Sequence, residues 1–114
     1  MSDFVIFSRD FEEGKEIPKK FGYKHGNEEP HIELGMIPSG TRSLAVIMDD
    51  PDAMGAVGKV WVHWLIWFSS DVPVFGKLSV VGISGKNDFG EIGYGGPAPP
   101  DKRHTYIFKA YALD

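Results

Sequence analysis

Ser43-Leu44-Ala45-Val46-Ile47-Met48-Asp49-Asp50-Pro51-Asp52-Ala53 is the stretch on which the reading of this chain turns. Five uninterrupted apolar residues run into three carboxylates packed around a proline. The apolar half predicts a core strand covered on both faces. The acidic half predicts a loop, because Pro51 has no amide donor and pushes Asp50 toward an extended backbone. Carboxylates at the rim of a core strand either cap a turn or form part of a site. Aspartates that bond their own backbone amides are the commoner case, so this run alone decides nothing.

Working outward, residues 60–68 are the most apolar segment, with Val60, Val62, Trp64, Ile66 and Phe68 on one face and Trp61, His63, Leu65 and Trp67 on the other. This pattern predicts a central strand covered on both sides, with a histidine set among aromatics. Residues 3–7, 31–34, 78–83 and 105–113 predict further strands, the last carrying His104, Tyr106, Phe108, Ala110 and Ala112 on one side. Residues 54–59 read as a flexible, glycine-rich stretch. Residues 88–102 form a long Gly/Pro-rich loop, of a length that is uncommon in compact domains without a role.

The bulk composition excludes several classes. A chain of 114 residues is one domain, here taken as 1–114. Its net charge of -4 lacks the basic balance of a non-specific nucleic-acid binder. No apolar run approaches the ~20 residues of a membrane helix, and no signal peptide opens the chain. Cysteine is absent, which removes disulfides, thiolate metal sites and cysteine nucleophiles and makes a cytoplasmic location the expectation. Fourteen glycines and eight prolines between β-branched and aromatic residues suit an all-β chain, and the β-sandwich is the expected class.

Three strand ends then offer Asp50 and Asp52, His63, and His104 with Tyr106. Singly, each has a plain structural reading: a capped turn, a core histidine, a surface histidine. Jointly they suggest a pocket, because an aspartate bonded to a half-buried histidine raises its pKa and can hold a cationic imidazole beside an anion. Glycines let backbone amides approach such a ligand, and prolines keep the loop stiff.

These segments resemble a known family. Residues 43–53 (SLAVIMDDPDA), 60–65 (VWVHWL) and 93–114 (GYGGPAPPDKRHTYIFKAYALD) are similar to the signature segments of the phosphatidylethanolamine-binding proteins, in the prokaryotic branch related to Raf kinase inhibitor proteins. Phe7-Ser8, Phe11, Gly14 and Ile17-Pro18 resemble the family's N-terminal segment. The resemblance implies a sandwich built on a large antiparallel sheet with a small anion pocket at one end. It carries ligand-binding roles onto Asp50, Asp52, His63, Gly96, Pro97, Pro99, His104 and Tyr106, with Trp61 as a pocket wall. It implies non-enzymatic binding of anionic or phosphorylated head groups such as phosphate or phosphoethanolamine, no cofactor, and regulation or inhibition of a protease or kinase.

The chain departs from the pattern at Met54, where a proline often stands, at Thr105, where arginine is usual, and at Ala98. The family's C-terminal helix and tail are not in the sequence, which predicts a more open pocket or a homo-oligomer that covers it. The competing expectation is a metal-dependent enzyme using His63, His104 and Asp50. The spacing is not a local metal motif, Gly82-Ile83-Ser84-Gly85 misses the nucleophile elbow, and prolines instead of a helix follow the Gly93–Gly96 cluster.

Overall fold

The computed structural model describes residues 4–71 and 76–114. It is mostly β, with antiparallel sheets and few helical turns. Strands β1 (Val5–Phe7) and β2 (Glu33–Gly35) form a two-stranded sheet. Strands β3 (Ser43–Asp50), β4 (Trp61–Ser69), β5 (Ile83–Ser84) and β6 (Ile107–Leu113) form a four-stranded sheet in the order β5-β4-β3-β6. The opening stretch is the centre of that sheet, since β3 pairs with β4 on one side and β6 on the other.

The core lies on one face of this sheet. Leu44, Val46 and Met48 of β3 and Trp64, Ile66 and Phe68 of β4 are buried with Ile32, Leu34 and Leu78. Ile6, Ile17, Tyr106, Phe108, Ala110 and Ala112 pack against them. Apolar alternation places these side chains on one face, and their removal from water drives the assembly.

The other face is more open than the sequence suggests. Trp67 is 46% exposed and Leu65 37% exposed, so β4 is not covered on both sides. Register places Ile83, Trp67, Ala45 and Tyr111 in one row across the four strands. A continuous apolar run is thus covered fully on one side and only partly on the other.

Two further expectations are corrected. The 54–59 stretch is not a flexible loop: Ala53–Val57 form a short helix, α1, closed by Gly58 at φ 79° with its amide on the Met54 carbonyl. The 78–83 segment is not one strand either. Leu78–Val80 make a 3-10 turn that buries Leu78 but leaves Val80 outside, and only Ile83–Ser84 pair with β4. Of the expected first strand, Asp3 lies outside the described residues, Phe4 precedes the strand, and Val5–Phe7 form β1.

The candidate pocket

A bulge decides where His63 points. Met48 pairs with Trp64, but Asp49 pairs with Val62, so His63 is the unpaired extra residue of β4. A bulge shifts the alternation by one and re-aims side chains next to it. Without it, Trp61 and His63 would share the outward face of Leu65 and Trp67. With it, Trp61 pairs with Asp50, on the same side of the sheet as Met48 and Trp64. His63 Nδ1 then bonds the Gly95 carbonyl at 2.7 Å, and its ring meets Phe89 and Tyr106 edge-on. Burial lowers the His63 pKa, against the opposing pull of the Gly95 carbonyl. The neutral ring donates from Nδ1, which leaves the lone pair on Nε2.

His104 is the opposite case. Its Nδ1 lies 2.6 Å from Asp50 Oδ2 and its Nε2 lies 2.7 Å from Asp101 Oδ1. A neutral imidazole has one N–H, so only the imidazolium donates both bonds. The Asp50 hydrogen bond, followed by Asp101, raises the His104 pKa against its burial. One sheet end therefore holds a neutral histidine and a cationic one.

These groups surround a cavity of about 290 Å³ lined by Asp50, Ala53, Ala56, Val57, Trp61, His63, Phe89, Ala98, Pro99, Pro100 and His104. Asp50 Oδ1, Trp61 Nε1 and the Tyr106 hydroxyl are buried without a protein hydrogen-bond partner. Burial raises the Tyr106 pKa, so it stays a hydroxyl donor. A second, larger groove of about 900 Å³ runs between residues 6–25 and 103–108, and shares Pro99 and His104 with the cavity.

Not every residue singled out in the sequence faces this cavity. Asp50, Trp61, His63, Pro99 and His104 do, and Tyr106 packs against His63 with ring centroids 5.3 Å apart. Asp52 instead accepts the Thr105 amide at 2.8 Å and ties the acidic turn to the segment just ahead of β6. Pro97 lines the larger groove and accepts the Tyr23 amide. Gly96 is held inside the fold: its amide donates to Asn27 Oδ1 at 2.7 Å, and a Cβ there would lie 1.8 Å from the Phe21 carbonyl oxygen. Asp49 accepts from Lys109 at 2.8 Å on the other face, as a structural member.

Sequence reasoning missed four contributors. Asp101 is the second carboxylate on His104. Phe89 walls the cavity, stacked on Tyr23 at 3.9 Å and edge-on to Trp61. Buried Asn87 holds Phe89 in place, accepting the Phe89 and Glu91 amides and donating to the Gly93 carbonyl. Helix α1 supplies Ala53, Ala56 and Val57. An Asn-Asp-Phe-Gly turn signal at residues 87–90 was the one available hint.

Metal binding gains no support. Both nitrogens of His104 are engaged by carboxylates, which leaves it no free lone pair. Among the described residues no group of three or more His, Asp or Glu is placed to hold a metal ion.

A family model described as phosphatidylethanolamine-binding protein matches residues 7–114. The chain belongs to the phosphatidylethanolamine-binding protein family. The chain is 42% identical to the UPF0098 protein of Aquifex aeolicus, covering 95% of this chain and 67% of that one. It is 39% identical to the UPF0098 protein of Chlamydia muridarum, covering 96% and 75%. The crystal structure of Escherichia coli YbcL, described as a member of the mammalian family, superposes with a TM-score of 0.85 at 32% identity, over 98% of this chain and 77% of that one. A family homologue from Chlamydia trachomatis gives 0.84 at 34% identity, over 96% and 74%. Membership implies a binding-type function. No helix among the described residues is long and apolar enough to cross a membrane.

Proposed function

We propose that the cavity between Asp50, His63 and His104 binds small anionic or phosphorylated head groups, phosphate and phosphoethanolamine among them, without catalysing a reaction. The observation that carries this reading is the set of buried, unpartnered polar atoms beside a cationic histidine. Buried donors nearly always have partners, and Trp61 Nε1 in the cavity wall and the Tyr106 hydroxyl in the adjoining larger groove have none within the protein. A phosphoryl oxygen accepts from such donors, while Asp50 Oδ1 accepts from an ammonium group. The two-stranded and four-stranded sheets, packed on one core, act in this reading as the layers of a sandwich with the pocket at one end.

Both ring nitrogens of His104 are held by carboxylates, so this histidine offers a cation to a ligand and not a free base. Regulation of a protease or kinase, a cytoplasmic location and assembly into a homo-oligomer belong to the same proposal; the first rests on the family resemblance and the second on the cysteine-free composition. Titration of isotope-labelled protein with inorganic phosphate and with phosphoethanolamine tests the core of it. Saturable shifts of the His63 and His104 ring resonances in the millimolar range are expected. Spectra unchanged across that range refute it.

A further inference from the structure

We infer that Asp101 is a built-in competitor for the anion, a carboxylate that occupies the His104 N–H a ligand needs and so sets the pocket's affinity. The inference rests on the head-group reading above. The residues lining the small cavity include neither lysine nor arginine, so the His104 imidazolium is the cationic group in its wall. One of its two N–H groups is committed to Asp50, whose side chain is 4% exposed and fixed at the end of β3. The other is held by Asp101, whose side chain is 40% exposed and sits three residues away on the Gly/Pro loop. A partner so exposed is the replaceable one.

Geometry makes the two roles mutually exclusive. Asp101 Oδ1 stands 2.7 Å from Nε2, the distance at which a phosphate or carboxylate oxygen would stand. An incoming anion must therefore displace Asp101, and the displacement moves more than one side chain. Ala98, Pro99 and Pro100, which line the cavity, directly precede Asp101 in the loop. Releasing the carboxylate frees that wall, so loop opening and anion entry are one event. The closed form lowers the apparent affinity by the fraction of molecules that are open.

The test is phosphate binding by the wild type, D101N, D101A and E16Q at low salt and slightly acidic pH, where His104 carries its proton. Removing an exposed charge-assisted bond should tighten phosphate binding by roughly tenfold in D101N and D101A. E16Q removes one negative charge beside Arg103 without touching His104, and should change binding by less than about twofold. The His104 ring gives a second readout. It faces Asp50 from β3, Asp101 from its own loop and Tyr106 ahead of β6, and shares the cavity wall with His63 from β4. Its pKa should fall in D101N and rise again when phosphate is bound.

If the wild type binds and D101N binds no tighter, the competitor is refuted and the head-group reading stands. If E16Q tightens binding as much as D101N, the effect is net charge and the competitor is refuted again. If neither the wild type nor D101N perturbs His63 and His104, both readings fall together. D101A guards against a folding defect specific to the asparagine, and circular dichroism at the working temperature confirms that each variant is folded.

Discussion

Replacing Gly96 with alanine tests whether this residue serves the fold or the ligand. The added Cβ would lie 1.8 Å from the Phe21 carbonyl oxygen, 2.9 Å from the Phe21 carbonyl carbon and 3.1 Å from the Gly22 carbonyl carbon. All three obstacles are backbone, so no side chain can swing aside. Either the 95–98 segment or the 21–22 segment must move. Three hydrogen bonds cross that contact: Gly96 N–H to Asn27 Oδ1 at 2.7 Å, Tyr23 N–H to the Pro97 carbonyl at 3.0 Å, and the Tyr94 hydroxyl to the Phe21 carbonyl at 2.9 Å. At about 1 kcal/mol each, plus residual strain, G96A should cost roughly 3–4 kcal/mol. Urea unfolding followed by tryptophan fluorescence measures this, with an unchanged slope showing that the two states compared are the same. Gly55 is the control: its added Cβ meets nothing within 4 Å inside α1, so G55A should be neutral or stabilise by up to about 1 kcal/mol. A G96A variant within about 0.5 kcal/mol of the wild type would refute the close-approach argument.

Three other outcomes follow from the same geometry. Trp64 is fully buried and Trp67 is half exposed, so W64A should cost about 3–5 kcal/mol and W67T about 1–2 kcal/mol in the same urea assay, and equal costs would contradict a core confined to one face of β4. Asn87→Ala removes three hydrogen bonds that hold Phe89 over His63; it should cost about 2–4 kcal/mol, and phosphate titration of the folded variant should show weakened binding. The two histidines should give opposite pH signatures in stability. The raised His104 pKa stabilises the fold below the ordinary value near 6.5, a contribution lost as pH rises through the raised value, so the difference between wild type and H104Q should shrink on that climb. The lowered His63 pKa keeps its stability above that ordinary value and loses it as pH falls toward the lowered one, so H63F should resist acid better than the wild type.

What the sequence makes legible here is alternation and turn chemistry. Apolar runs at residues 44–48 and 60–68 locate the two central strands, and the Gly/Pro composition locates the long loop. Periodicity cannot report a bulge, because the extra residue carries no distinctive side chain. His63 therefore reads as a neighbour of Leu65 and Trp67, when the shift of one position between Met48 and Asp49 places it with the pocket instead. The coverage of Trp67 is overestimated for a different reason. Apolar content on both faces of a strand states what could be buried, and the rest of the described chain decides what is.

The candidate site shows a related division between identity and role. Asp50 and Asp52 look equivalent in an Asp-Pro-Asp run, yet they lie at the end of β3 and just before α1, and they bond to different elements. One reaches a buried imidazole, and the other ties the turn to the Thr105 amide. The family resemblance gives Gly96 a ligand-binding role, but a close approach to the Phe21 carbonyl already requires glycine there. Asp101 escapes notice because a carboxylate after two prolines is an ordinary loop residue in sequence terms. Its consequence appears only when the loop folds back three residues to His104. A cationic histidine held between a buried carboxylate and an exposed one has two kinds of partner, one permanent and one exchangeable. That asymmetry in exposure is the property that would let a pocket without arginine or lysine in its wall both stay folded when empty and admit an anion.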